Sequence, residues 1–447
     1  MTSDVADAIA ELVAPMFGGR LPVAIRAWDG SSAGPDGAPV AVLNSPRALA
    51  HIAWAPGELG MARAYIAGDL DVEGDIAAGL SAVWDARREA LRRRPGTASP
   101  RSRLDARTVL AGLRLLAGNG ALRRPAPPDG ELRLRGRLHT KRRDAAVIHH
   151  HYDVSNTLYS LLLDENMAYS CGYWTSDDPA YDVADSQRDK LDMICRKLGL
   201  APGKHLLDVG CGWGALSIHA AREYGARVTG ITISAEQLAF ATARVDELDL
   251  GHLVDVRLLD YRDLAGGPYD AISVIEMGEH VGKGNYPAFA ASLHGLLADE
   301  GRLLVQQMSR SGSHPGGGPF IERYITPDMH MRPVHETIAI LAAAGFEVRD
   351  VHAMREHYVH TVAAWQRQLD RRWDEVVAAV GVTQARVWRL YLAGGALAFA
   401  ENRMGVDQIL SVKPTSAGIS GMPPTRTGWE PSPSPAQRRR TPRERVR

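Results

Sequence analysis

Residues 204–214, KHLLDVGCGWG, decide how this chain is read. Leu206, Leu207 and Val209 form a short apolar run, which predicts a buried parallel strand. Gly210, Gly212 and Gly214 follow at once, and ALSIHAAREYG then resumes at helical spacing. Strand, tight turn and helix make one device. The glycines let the backbone approach a ligand closely, and the helix N-terminus offers unpaired N–H groups.

The glycines run G-x-G-x-G, whereas dinucleotide folds use G-x-G-x-x-G. The next strand, RVTGITIS (227–234), ends in Thr and Ser, where a dinucleotide fold places an acidic residue for the ribose. Asp208, just before the turn, is placed to meet a cationic ligand. Together these features form the first-strand signature of an S-adenosylmethionine-dependent methyltransferase.

Around this element, strands are predicted at 205–209, 227–233, 254–258, 270–275, 301–308, 346–351 and 406–412, and helices alternate with the first five. Repeated βα units imply an α/β fold with a doubly wound, mostly parallel seven-stranded sheet, here spanning 147–414. Ligands of such sheets bind beyond the carboxyl ends of the strands. Residues 1–90 read as a smaller N-terminal α+β domain. Within it, VADAIAELVAPMF (5–17) carries one apolar stripe at helical spacing, suited to packing on its own domain or to lying on lipid. Residues 415–447, rich in Pro, Ser and Arg, read as a disordered basic tail.

A chain of 447 residues with zero formal net charge gives no hint of a partner from its total charge. The distribution is more informative. The stretch 91–146 reads as a basic linker, and Arg87, Arg88, Arg92, Arg93, Arg94, Arg101, Arg103, Arg107, Arg123, Arg124, Arg142 and Arg143 crowd it and its approach. Each basic residue near an anionic bilayer contributes about 1 kcal/mol, so an anionic membrane surface is the expected partner. Nucleic acid is not expected, because no stacking aromatics are interleaved. Cys171, Cys195 and Cys211 form no C-x-x-C pair, which suits a reducing cytoplasm. No apolar run is long enough to span a bilayer, and the N-terminus has no signal-peptide pattern, so a soluble cytoplasmic chain meeting the membrane from its inner face is expected. The run His149–His151 invites a metal reading, but consecutive residues point in different directions, and no metal is expected.

Four further stretches carry a family resemblance: YDVSNTLYSLLLDENMAYSCGYW (152–174), DYRDL (260–264), IEMGEHVGKGNY (275–286) and REHYVHTVAAW (355–365). With LLDVGCGWG and ITISAEQ, the chain resembles the cyclopropane-fatty-acyl-phospholipid synthase family, which includes the mycolic acid cyclopropane and tuberculostearate-type synthases. The resemblance covers roughly 145–414 strongly and reaches the N-terminal domain through ARAYIAGDLDVEGD. It implies transfer of a one-carbon unit from S-adenosylmethionine to the double bond of an unsaturated phospholipid acyl chain. For the cofactor it points to Tyr169 and Ser170, Asp208 with Gly210, Gly212 and Gly214, Thr232, Ser234 and Gln237, and Tyr261 with Arg262. Thr232 and Gln237 can hydrogen-bond its ribose or amino-acid end, and Tyr261 can stack on its adenine.

An alkene is a feeble nucleophile, so its partner must be a strong electrophile, and the cation left on the chain needs a dry aromatic pocket. Ring faces attract cations by about 0.5–2 kcal/mol each; Tyr169, Tyr173, Trp174 and Tyr358 are the candidates. A base must then take a proton. The resemblance implies a bound bicarbonate, contacted by Cys171, Glu279 and Tyr358. Two departures stand out: Gln306 replaces the family's His at the end of the fifth strand, and Gly395 replaces a Cys. The first bears on the product, a cyclopropane or a methylene branch that a separate reductase would complete, and tilts toward the branch. Chain length, head group and homo-oligomer formation are left open. The rival readings are a methyltransferase for another small or nucleic-acid substrate, and a lipid-binding relative without catalysis. Against the nucleic-acid case, the segment after the fourth strand reads EMGEHVG, not the Asn/Asp-Pro-Pro-aromatic motif of DNA amino-methyltransferases.

Overall fold

The computed structural model describes residues 4–92, 106–132, 136–152, 156–311 and 316–429, with backbone only at 91, 106, 107 and 149–152. Its chain divides into two compact units.

The first unit comprises Met1–Arg135, Gly316–Pro327 and Gln366–Ala398. Strands β1 (Ala24–Arg26), β2 (Ser32–Ala33), β3 (Val40–Leu43) and β4 (Leu70–Glu73) form a sheet in the order β2-β1-β3-β4. The β1–β3 pair is parallel and the other two are antiparallel. The helix Val5–Val13 turns Ala6 and Ile9 into the core beside Ile25, Leu43, Tyr65 and Ile76, so its stripe packs within its own unit. Strand β4 has only four residues, too few to show a period in the sequence.

This division differs from the boundaries drawn at 90 and 146. Arg386 shows why. It donates to the carbonyls of Tyr65 (2.6 Å) and Leu70 (2.9 Å), and its guanidinium lies 4.1 Å from the Tyr65 ring centroid. Glu131 likewise receives Arg63 and Tyr324. Such pairings between distant segments leave no periodic trace in sequence.

The second unit comprises Gly136–Pro315, Asp328–Trp365 and Phe399–Arg447. Its strands are β5 (His205–Val209), β6 (Arg227–Thr232), β7 (Val254–Leu258), β8 (Tyr269–Ile275), β9 (Leu297–Ser309), β10 (Glu347–Ala353) and β11 (Gly405–Val412). They form one seven-stranded sheet in the order β10-β11-β9-β8-β5-β6-β7, in which only β11 runs against its neighbours. The predicted sheet is therefore present, strand for strand. Leu206, Leu207 and Val209 are fully buried, as expected of a strand covered on both faces. The order reverses between β5 and β8, and a crevice opens at the carboxyl ends of such a pair.

The expected disordered tail is corrected at its start. Residues 415–429 are part of the second unit: Arg426 pairs with Asp350 at 2.7 Å, and Trp429 is buried among Leu191, Leu206 and Leu410. A single aromatic in a Pro- and Ser-rich stretch was too weak a signal. The remainder of that tail, from 430, lies outside the described residues, as do Arg93, Arg94, Arg101 and Arg103. Trp429→Ala should destabilise the protein by about 3–5 kcal/mol in urea unfolding. An unchanged midpoint would return this segment to a loose tail.

Candidate active site

The turn after β5 is built for close approach. Gly210, Gly212 and Gly214 all have positive φ (78°, 57° and 87°), a region that L-residues with a Cβ rarely adopt. The N–H groups of Gly210 and Cys211 both donate to the Ile231 carbonyl, and Gly214 caps the helix Ala215–Tyr224. A Cβ at Gly210 would lie 2.8 Å from the Met277 side chain, so this turn and the segment after β8 sit side by side. A Cβ at Gly212 would meet nothing within 4 Å among the described residues, which leave that side of the turn open.

The other cofactor candidates sort into those that face this crevice and those engaged elsewhere. At the end of β6, Thr232 donates to Gln237 Oε1 (2.7 Å), and the Ser234 hydroxyl accepts the Gln237 N–H, capping the helix Ala235–Glu247. At the end of β7, Tyr261 stands half-buried, edge-on to Phe289. Tyr169 is half-buried, with Tyr159 and Trp365 rings 5.3 and 5.2 Å away. Ser170 is buried, and its hydroxyl receives Lys190 Nζ at 2.7 Å.

Two of these candidates are corrected. Asp208 is buried, and its two oxygens accept the hydroxyls of Ser217 and Ser273, each at 2.8 Å. It ties β5 to β8 and to the following helix, so it supports the turn from beneath. Arg262 holds Asp260 with two donors (2.7 and 2.6 Å) and Asp144 at 3.1 Å. These acids raise its pKa further and commit its guanidinium within the protein. Neither outcome could be read from spacing, because both depend on partners brought in by the fold. The residues that remain fit S-adenosylmethionine. They offer an open glycine turn, a capped helix start and an aromatic ring at consecutive strand ends.

Beyond β8 the structure gathers a polar cluster around Glu276, a residue that sequence reasoning did not single out. Glu276 Oε1 accepts the Cys171 N–H and Gln306 Nε2, both at 2.8 Å, and Oε2 accepts the Tyr358 hydroxyl at 2.6 Å. Its backbone has φ 52°, a left-handed conformation that costs a residue with a Cβ about 1–2 kcal/mol. Burial raises its pKa, and the three donors oppose that rise.

The direction of these bonds is set from a distance. Buried Lys197 can only donate, and it donates to Gln408 Oε1 at 3.0 Å. The Gln408 amide nitrogen must then face Gln306 Oε1 (2.9 Å), across the register pair of β11 and β9. Gln306 is left with its nitrogen toward Glu276. Here Gln306 acts as an oriented neutral donor.

The bicarbonate contacts expected from resemblance are corrected on this geometry. The Cys171 thiol faces the carbonyls of Gly172 (3.3 Å) and Met354 (3.7 Å), and burial pushes its pKa well up. Only its N–H faces the cluster. That N–H, Gln306 and Tyr358 are all turned on Glu276, so a bicarbonate would find its donors taken and two carboxyl groups beside it. The residues do not fit that anion. Glu279, the expected contact, is buried; its Oε1 accepts the Met308 N–H at 2.6 Å, and its Oε2 has no partner among the described residues. Burial first, and then Glu276, push its pKa up to about 8.

Of the four aromatic candidates, Tyr169 and Tyr358 share one series of rings. Tyr169 meets Trp365, Trp365 meets Tyr358 edge-on at 6.1 Å, and Tyr358 stacks on Phe399 at 4.4 Å. Tyr173 pairs with His357 (4.8 Å), and Trp174 donates to Thr361 (3.0 Å). Lys190 and Lys197 were missed as well. Their seven-residue spacing on the inward face of the helix Val183–Leu198 was the available signal. The His149–His151 side chains lie outside the described residues.

The sheet order and the glycine turn define a class I S-adenosylmethionine-dependent methyltransferase. The profile described as mycolic acid cyclopropane synthetase matches residues 139–409, and the chain belongs to that family. It is 38% identical to a probable fatty acid methyltransferase of Mycobacterium tuberculosis, over 92% of this chain and 96% of the relative. It is 35% identical to the cyclopropane-fatty-acyl-phospholipid synthase of Escherichia coli, over 63% and 72% of the two chains. A mycolic acid cyclopropane synthase solved with S-adenosylhomocysteine superposes at a TM-score of 0.56, with 30% identity over 60% of this chain and 97% of the other.

Glu279 yields a pH test. Its folded pKa lies above its ordinary value of 4.5, so the folded state binds the extra proton and stability falls as pH rises from about 5 to about 8. Urea unfolding of the wild type and Glu279→Gln should diverge across that window by on the order of a few kcal/mol, then level off. Parallel profiles would mean that Glu279 titrates normally.

Proposed function

We propose that this enzyme adds a one-carbon unit to the double bond of unsaturated acyl chains in membrane phospholipids, giving a cyclopropane or a methylene branch. The observation that carries the reading is the series of rings running from Tyr169 to Phe399 and meeting a held carboxylate at Tyr358. Bound S-adenosylmethionine supplies an electrophilic methyl group. Gly210, Gly212, Gly214, Thr232, Ser234, Gln237 and Tyr261 would hold it. The rings of Tyr169, Trp365 and Tyr358 would exclude water and face positive charge developing on the acyl chain. The relatives named for fatty acid and fatty-acyl-phospholipid substrates support a lipid acceptor. Gln306, a neutral donor that cannot carry an imidazole's charge, favours the methylene branch, which a separate reductase would then saturate.

An anionic membrane surface is the partner this reading requires, met peripherally from the cytoplasm. Among the described residues no helix is long and apolar enough to cross a membrane. Val109, Leu110 and Leu113 are exposed on the helix Ala106–Gly118, and Arg114, Arg123 and Arg124 are exposed nearby in sequence, a composition suited to a charged bilayer. Arg143 leaves the lipid-facing set, because it pairs with Asp328. A homo-oligomer is compatible with this arrangement.

Fatty acids from bacteria expressing the protein, fed methyl-deuterated methionine and oleate, should contain an acyl chain one carbon heavier by mass spectrometry. Its chromatography against standards names the product. Labelled small molecules without labelled lipid would favour another acceptor. Binding to anionic vesicles should weaken as salt is raised toward 1 M, where screening acts within about 3 Å. Salt-independent binding would remove the arginines from the membrane contact.

A further inference from the structure

The family resemblance calls for a bicarbonate, yet the donors that would seat it already hold a carboxylate belonging to the chain. We propose that Glu276 is the resident base of this enzyme and occupies the position a bicarbonate would take. This assignment rests on the lipid-alkylating reading above.

Three observations carry it. Cys171 N–H, Gln306 Nε2 and Tyr358 O–H converge on one carboxylate within 2.6–2.8 Å. They come from three separate elements: the loop before the helix Val183–Leu198, strand β9 and the helix Arg355–Arg371. The Gln306 amide is oriented toward it by the one-way chain from Lys197 through Gln408. The backbone at Glu276 also holds a left-handed conformation, and strain of this kind persists where surrounding structure over-determines it.

The two oxygens are not equivalent. Oε1 accepts two donors and Oε2 accepts one, so Oε2 keeps a lone pair for a proton. As the alkene's π pair forms the new C–C bond, the methyl's bond to sulfur would break with its pair leaving on S-adenosylhomocysteine, and the adjacent chain carbon would be left a cation. Glu276 Oε2 takes a proton from the added carbon, forming an O–H bond. The released C–H pair then closes the ring onto the adjacent cation or, once a 1,2-hydride shift has moved the cation to the carbon bearing the added group, becomes the C=C bond of the methylene branch. The proton then passes from Oε2 to water as the product leaves, which restores the base.

The test compares the wild type with Glu276→Gly and Glu276→Gln. Glycine suits the positive φ, and glutamine keeps the shape without the basicity. Binding of carbon-13 bicarbonate, followed by NMR with S-adenosylhomocysteine present, should be absent in the wild type and present in Glu276→Gly. In carbon-dioxide-free buffer the wild type should keep its rate of lipid alkylation. Glu276→Gln should lose about 10²–10⁴-fold, the range for a positioned base, with S-adenosylhomocysteine affinity unchanged. Glu276→Gly should recover part of its rate with added bicarbonate. A wild type that binds bicarbonate, or stops without it, overturns the proposal. If no lipid is labelled by the wild type under any condition, the acceptor reading fails instead, and the binding comparison still decides who occupies the donors.

Discussion

A carboxylate held away from bulk water needs donors, and the site is arranged around meeting that need at Glu276. Burial penalises its charge, while one main-chain N–H, one amide and one phenol offset the loss. None of the three donors is local to it in sequence. The loop carrying Cys171, strand β9 and the helix bearing Tyr358 must all be seated before the charge is tolerated. The polar cluster thus couples the assembly of the sheet to the chemistry at its edge.

Direction matters as much as contact. An ammonium group has donors only, and Lys197 imposes that asymmetry on two successive glutamines, whose amides are otherwise free to flip. Asp350, 3.3 Å from Lys197, balances the buried charge. A histidine at position 306 would bring two ring nitrogens and a titration of its own near neutral pH. Gln306 brings neither, so the cluster's protonation is left to the carboxyl groups.

Two carboxyl groups share this region under different constraints. Glu276 has three donors and some exposure; Glu279 has one main-chain donor and none. Like charges close together in a poor solvent do not both ionise readily, so the environments push the pair apart. The three donors oppose the rise at Glu276, while Glu279 is pushed up to about 8. Residue type alone does not separate the two glutamates.

The sheet, its strand positions and the glycine turn were legible in the sequence, because each rests on a local rule: apolar runs in buried strands, positive φ at glycine, and helical spacing after the turn. The stretch 204–214 was enough to place the cofactor crevice, and the resemblance placed Glu279, Tyr358, Cys171 and Gln306 near one another. Tertiary structure decided what these residues do. It turned Asp208 and Arg262 inward onto partners, withdrew the Cys171 thiol, and drew Trp429 into the core. It also gave the donors to Glu276. Hydrogen bonds between distant residues, such as Lys197 with Gln408 across 211 positions, depend on which strands become neighbours, and no local pattern encodes that.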